Sequence, residues 1–426
     1  MTMAPYRIRR LDSGVRLITA SLPERASVAV AFMFAVGSRH EDEATCGLSH
    51  FIEHIVFKGA EDFPTARAIS EAIEGVGGVL NAATDKEATV FYAKVPREHT
   101  ALAVNVLSSM LFAPILDPAE VSKERQVVVE ELRMYQDNPQ DHVSTLFDEI
   151  MYPGQPLGWD VAGTEKSVRR IEASACRGHL GRHYRPDTAV ISIAGGIDHE
   201  EAERVVSAAV RPTGPTVAAD APLAAREVRG TAVRSLNKRT EQANVILGAH
   251  TVSYMDERRH ALDLLNVILG EGMSSRLFLE LREERALAYD VHSFTSKLRD
   301  SGCMGIYIGC EPRRAVQATG AAVDELLKLA ADPVGAEELH KAKEYSKGRL
   351  LLQLESTTSL TQYLGQQELL AGEIETPEDV VSAIEAVTTD EIRDLAAALC
   401  GRGLRAAVIG PFAKPERFET ILARAS

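Results

Sequence analysis

One order of elements runs through this chain twice, and that repetition restricts the available folds more than any other feature. In the first half, RIRRLDSGVRLITA reads as a hairpin turning at Asp12-Ser13-Gly14, and SVAVAFMFAVG as an apolar strand ending in glycine. Helices are predicted from about Thr45 to Phe57 and from about Thr65 to Gly75, followed by a strand pair, VLNAAT and ATVFYAKVP. Helical patterns then occupy about 97–112, 118–136, 140–151 and 170–184, before the strand TAVISIAGGI and the helix HEEAERVVSAAV. The second half repeats this order, roughly 210 residues later, with ANVILGAHTV, DERRHALDLLNVILG, SSRLFLELREE, LAYDVHSFTS, GCMGIYIGCEP, further long helices and the late strand RAAVIGPF.

Between the halves lies PTGPTVAADAPLAAREVRG, Pro212 to Gly230, aperiodic and rich in proline, alanine and glycine, which reads as a linker. The expected organisation is therefore an N-terminal domain over 1–211, a linker over 212–230 and a homologous C-terminal domain over 231–426. Strands grouped before helices predict an α+β class, each domain a mostly antiparallel sheet covered by helices and related to the other by internal duplication. A chain of 426 residues is long enough for two such cores.

A net charge of -14 argues against a nucleic-acid or anionic-membrane partner, which would require a basic face. Cys46, Cys176, Cys303, Cys310 and Cys400 are scattered, odd in number and without a Cys-x-x-Cys pair, so neither a disulfide framework nor a thiolate zinc site is expected. The N-terminal stretch has arginines but no apolar run of signal-peptide length, and no segment reaches the roughly 18 apolar residues of a membrane span. A cytoplasmic protein is the expectation.

The chemistry concentrates in HFIEH, residues 50–54. Leu48, Phe51, Ile52, Ile55 and Val56 recur at i, i+3, i+4, i+7 and i+8, defining one apolar helix face. His50 and His54 stack one turn apart beside it, with Glu53 in the same neighbourhood. Two imidazoles so spaced can chelate one zinc, and an adjacent carboxylate can accept a proton from water. Thr45 is the expected N-cap of this helix and Gly59 its stop. The pattern H-x-x-E-H, the inverse of H-E-x-x-H, is a known metallopeptidase signature, although composition alone would produce it in roughly one chain in fifty of this length.

A zinc needs a third protein ligand, and ERQVVVEELRMYQ offers one. On a helix Glu124, Val127, Val128, Glu131 and Tyr135 share a stripe, so two carboxylates lie on an apolar face, where they need a cation or donor. Glu130 lies about 100° away, on the solvent side. Glu131 is therefore assigned as the third ligand, with Glu124 supporting a ligand from behind.

These residues sit in a chain that resembles the inverzincin family of pitrilysin, insulin-degrading enzyme and mitochondrial processing peptidase. It is most similar to single-unit bacterial members that look like the processing peptidase β subunit. The likeness runs through LDSGVRLIT, VGSRHEDEATCGLSHFIEHIVFKG, GGVLNAATDKE, ERQVVVEEL, HYRPDTAVISIAG and SSRLFLELREERALAY. It implies metal ligands at His50, His54 and Glu131, a catalytic base at Glu53 and a supporting acid at Glu124. It further implies that substrate adds as a strand along an edge at Asn81 and Ala82, and that Arg282 and Tyr289 bind the substrate carbonyl and stabilise its oxyanion. One departure stands in Ala286-Leu287-Ala288-Tyr289, where Gly-Leu-Ala-Tyr or Leu-Gly-Tyr is usual; alanine there matters little if the backbone is extended. The helix corresponding to HFIEH in the second half has His260 without a matching pair, so one Zn2+ per chain is expected.

Lesser candidates are weaker on physical grounds. His179 and His183 have i, i+4 spacing but no intervening acid, and Gly181 weakens the helix, so they read as structural. GVGGVL lacks the Gly-Lys-Ser/Thr ending of a phosphate loop. Glu41, Asp42 and Glu43 are expected to favour the positive end of the HFIEH helix. The resulting expectation is a zinc-dependent endopeptidase cleaving peptides or unfolded segments through metal-activated water. The resemblance also implies a clamshell homodimer, or a heterodimer, in which Arg282 and Tyr289 can act in trans. The alternatives are a non-catalytic scaffold subunit and a catalytic subunit active only with a different partner chain.

Overall fold

The computed structural model describes residues 5–212 and 221–425. The expected α+β class and duplication are both present. The first sheet comprises β1 (Tyr6–Arg10), β2 (Arg16–Ser21), β3 (Ser27–Phe34), β4 (Val79–Thr84), β5 (Thr89–Pro96) and β6 (Ala189–Gly195), in the order β1-β2-β6-β3-β5-β4. The second comprises β7 (Ala232–Asn237), β8 (Ala243–Thr251), β9 (Asp290–Lys297), β10 (Gly302–Cys310) and β11 (Arg405–Gly410), in the order β7-β11-β8-β10-β9. Apart from β1 the two orders correspond strand for strand. In each sheet one pair is parallel, β2 with β6 and β7 with β11, and the other pairs are antiparallel.

The hairpin turn falls at the expected place: Leu11 N–H donates to Val15 O at 2.9 Å, and Gly14 adopts φ 91° against Asp187. β7 is a half-exposed edge strand with no clean alternation, and the sequence reading passed over it. SSRLFLELREE contains a π-helical stretch, Phe278–Glu284, instead of a continuous α-helix.

The near-continuous apolar strands β3, β6, β8 and β10 are buried on both faces, so each sheet needs two covering layers. On one face of the first sheet Phe32, Phe34, Phe91 and Ile191 pack with the helices Leu48–Ile55 and Thr100–Phe112. Its other face, with Ile18, Met33 and Val190, is covered by Leu360, Leu364 and Leu369 of the helix Thr357–Leu370. The second sheet does the reciprocal: Ile246, Tyr307 and Ile409 pack with Val143, Phe147 and Met151 of the helix Pro139–Met151.

The compact units are consequently interleaved. One comprises Met1–Leu132, Asp160–Leu223 and Leu351–Thr376, and the other Arg133–Trp159, Ala224–Leu350 and Pro377–Ser426. This departs from a division into contiguous domains at 1–211 and 231–426, because each half lends one helical segment to the other half's sheet. Of the expected linker, 213–220 lies outside the described residues. The described part is tied down: Leu223 O accepts from Arg39 Nη2 at 2.8 Å, and Arg226 exchanges hydrogen bonds with the Gln155 amide at 2.8 and 3.0 Å.

All five cysteines are buried thiols outside any disulfide, and burial pushes Cys46 and Cys176 up to about 12. Among the described residues no helix is long and apolar enough to cross a membrane.

Gly365 tests the exchanged packing. A Cβ there would lie 2.5 Å from Met33 Sδ and 3.1 Å from Ser192 Cβ. Gly365→Leu should lower unfolding free energy in urea by about 1–3 kcal/mol through overpacking; an unchanged midpoint would remove this helix from the sheet.

Candidate metal centre

The HFIEH helix spans Leu48–Ile55, continues as a 3-10 turn over Val56–Lys58 and stops at Gly59, φ 152°. Its start corrects the expected Thr45 cap. The N-cap is Gly47 at φ 89°, where a Cβ would lie 2.5 Å from Ala162 O, so the left-handed backbone and the close approach both require glycine. Thr45 belongs instead to a turn closed on Asp42, whose carboxylate accepts from the Thr45 hydroxyl and amide at 2.9 Å each.

The first amides of the helix are taken by Glu41, which accepts from Gly47 N–H at 2.7 Å and Ser49 N–H at 2.6 Å. This is the expected role of an acid at the positive helix end, performed by a carboxylate only 6% exposed. Burial raises the Glu41 carboxyl to about 7, against the opposing pull of the two amides.

Leu48, Phe51, Ile52 and Ile55 fill the core, which leaves His50 and His54 on the flank, ring centroids 4.6 Å apart. Facing them is the helix Pro118–Asp137. Its buried stripe is Val121, Glu124, Val128, Val129 and Leu132, with Glu131 half-buried. Val127 and Tyr135, expected on that stripe, are 49% and 39% exposed. They lie on the flank turned from the core, and an idealised helical wheel does not separate that flank from the packed one. Glu130 is exposed.

Glu131 reaches both imidazoles, Oε2 lying 3.3 Å from His54 Nε2 and Oε1 3.8 Å from His50 Nε2. Glu124 Oε1 accepts from His54 Nδ1 at 2.9 Å, and its Oε2 lies 2.7 Å from Lys58 Nζ. Glu53 Oε2 is buried without a hydrogen-bond partner, as is His50 Nδ1.

The acids dominate the electrostatics of the cluster. Burial lowers the His54 pKa, yet hydrogen bonds from Glu124 and Glu131 and their charges outweigh it and raise the imidazole to about 9. His50 moves down, through burial and the neighbouring His54 charge. Burial opposes ionisation of Glu124, but His54 and Lys58 hold its carboxyl below the usual range. Two acids thus converge on an imidazole that takes up a proton as their counter-ion, a place a divalent cation can fill. His50, His54 and Glu131 each offer a ligand atom, all within 4.8 Å of one another, and they are the group of this kind found among the described residues. Two imidazole nitrogens and one carboxylate are a catalytic zinc donor set, so the residues fit the ion.

Asn81 and Ala82 lie on β4, the outer strand of the first sheet, paired with Tyr92 and Phe91 of β5. Ala82 N–H donates to Asn81 Oδ1 at 2.8 Å. Arg282 and Tyr289 belong to the second unit. The Arg282 guanidinium lies 4.9 Å from the Phe278 ring centroid and 5.6 Å from that of Tyr289, which is 74% exposed. Just before Tyr289, Ala286 sits at φ 48°. The backbone there is left-handed and not extended, so alanine in place of glycine costs about 1–2 kcal/mol. Lys58 was missed by the sequence reading. Its signal was available, a cation four residues after His54 and hence one turn further along the same side.

His179 and His183 join a different cluster behind the HFIEH helix. Their rings are 4.5 Å apart, His40 lies 5.9 Å from His183, and His179 Nε2 lies 3.5 Å from Ser49 Oγ. Burial, then the charge of His183, lowers His179 to about 3.

Comparison with known proteins agrees with this geometry. Residues 16–165 match the family described as Insulinase (Peptidase family M16), and 173–345 match the Peptidase M16 inactive domain. An α+β fold with two compact halves and, among the described residues, one His-His-Glu cluster defines the class as a zinc metallopeptidase of inverzincin type. The chain belongs to the insulinase family, peptidase family M16, as a single-unit member. An uncharacterized zinc protease of Streptomyces coelicolor is 38% identical over 94% of this chain and 88% of its own. Another, YmxG of Bacillus subtilis, is 36% identical over 94% and 97% respectively. The crystal structure of a protease from Helicobacter pylori superposes with a TM-score of 0.89 at 22% identity, covering 96% of this chain and 100% of that one, which supports the fold.

The buried histidines generate a pH prediction. His179 has a folded pKa below its unfolded value of about 6.5, so the unfolded chain binds the extra proton and stability falls with acid. The advantage of wild type over His179→Leu in urea unfolding should shrink below pH 6.5 by about 1.4 kcal/mol per unit, ending near the folded pKa. A pH-independent difference would contradict a neutral buried His179.

Proposed function

We propose that this metallopeptidase is an endopeptidase for peptides and unfolded segments, with one zinc per chain held by His50, His54 and Glu131. The observation that carries the reading is Glu53 Oε2, a buried carboxylate oxygen without a partner beside the three converging ligand atoms. When bound, zinc supplies Lewis acidity that makes water a nucleophile near neutral pH and polarises a carbonyl. Glu53 takes the proton from the attacking water and later delivers it to the leaving amine. Water oxygen adds to the scissile carbonyl carbon, the C–N bond breaks, and a carboxylate and an amine leave. Glu124 holds the His54 ring in orientation through Nδ1. β4, with Asn81 and Ala82, offers an outer edge against which an extended peptide adds as a strand, a mode that tolerates varied sequences. Arg282 and Tyr289 meet the oxyanion as charge develops.

Arg282 and Tyr289 fall within 173–345, which match a domain described as inactive; the family resemblance supports their reaching the metal centre of a second chain in a clamshell homodimer. Five thiols outside any disulfide support action in the reducing cytoplasm.

Glu53→Gln should retain zinc, measured by elemental analysis, while peptide hydrolysis by the purified chain falls on the order of 10²–10⁴-fold. A chelator should abolish wild-type hydrolysis. Undiminished turnover by the variant would remove Glu53 from the mechanism, and no turnover by the isolated wild type would favour a subunit that needs another chain. Mixing Glu53→Gln with Arg282→Ala chains should restore part of the activity if the pair acts in trans; verified mixed dimers without recovery would exclude it.

A further inference from the structure

Lys58 stands at the end of the 3-10 turn that prolongs the HFIEH helix, four residues past His54. Its ammonium lies 2.7 Å from Glu124 Oε2, while Oε1 of the same carboxylate lies 2.9 Å from His54 Nδ1. Glu124 is nearly sealed, with its side chain 4% exposed, whereas the Lys58 side chain is 30% exposed and opens outward. Each oxygen of this buried carboxylate thus has its own donor, one from the candidate ligand and one from the lysine.

We propose that Lys58 is a positioning residue for the metal centre, locking Glu124 so that His54 carries its proton on Nδ1 and presents Nε2 to the cation. The inference rests on the metal reading above and adds a residue to it. A carboxylate that bridges two donors at fixed positions has a single orientation; with one donor it can rotate and accept from either side. The charge balance points the same way. Glu124 and Glu131 crowd negative charge into a partly buried site, and Lys58 brings an ammonium against the more deeply buried of the two. Buried charge that is not compensated is costly, so the metal should be held less tightly once the ammonium is gone. One short segment supplies both ends of the chain: His54 lies in the last α-helical turn, Lys58 ends the 3-10 turn after it, and Glu124 spans them.

The test is zinc affinity by competition with a chromophoric chelator, on folded protein verified by circular dichroism. Lys58→Met keeps the aliphatic stem and removes the charge; its zinc Kd should rise on the order of tenfold, the scale of outer hydrogen-bond partners of metal ligands. Lys58→Arg, which still donates to a carboxylate, should return most of the loss. In a Glu124→Gln background, Lys58→Met should have little further effect, because the lysine acts through Glu124; additive losses would assign it a general structural role and overturn the proposal. Wild-type zinc affinity in Lys58→Met would also overturn it. A wild-type chain that binds no zinc, or His54→Ala with undiminished affinity, would instead overturn the metal reading itself, so the two failures are distinguishable.

Discussion

A carboxylate buried next to apolar core is costly without a counter-charge or hydrogen-bond donors, and much of the first unit is arranged to supply them. Glu41, Glu124 and Glu131 are drawn inward because the helices that carry or receive them pack tightly. Each finds a partner: two helix-terminal amides for Glu41, His54 and Lys58 for Glu124, and the imidazole pair for Glu131. The two carboxylates that flank His54 favour its charged form and raise its pKa against burial.

The same constraint explains why the site is preorganised. Gly47 lets the chain turn in the left-handed region against Ala162, Glu41 receives the amides exposed by that turn, and the helix therefore starts at a defined residue. His50 and His54 inherit their directions from that start. The opposing helix is anchored by Val121, Val128 and Leu132, which sets the depth at which Glu131 meets them. Core packing and site geometry are one arrangement here, since moving either helix by a turn would separate the ligands.

Sheet burial imposes the second constraint. Strands as apolar as β3 and β8 expose nothing to water on either side, and each half of the chain provides a sufficient helical layer for only one face of its own sheet. The helices Pro139–Met151 and Thr357–Leu370 cross over to complete the partner sheets. The first was legible as a helix over about 140–151, whereas the second fell only within the further long helices expected after GCMGIYIGCEP, since its own residues carry no clear apolar stripe. The destination of neither was legible, because nothing in a helix's own pattern says which of two similar apolar sheets it will cover. The interleaved units departed from the contiguous reading for that reason.

What the sequence determined by itself was local: the H-x-x-E-H spacing that stacks two imidazoles, the seven-residue step from Glu124 to Glu131, the duplicated order of elements and the hairpin at Gly14. These follow from the fixed periods of helix and strand, so they survive without knowledge of the fold. The tertiary structure decided the rest. It chose Gly47 over Thr45 as the helix start, exposed Val127 and Tyr135, placed Ala286 in a left-handed turn and brought Lys58 onto Glu124. Each of these depends on what lies opposite in space. A residue's partners across a core are set by packing between distant segments, a relation that no local period encodes.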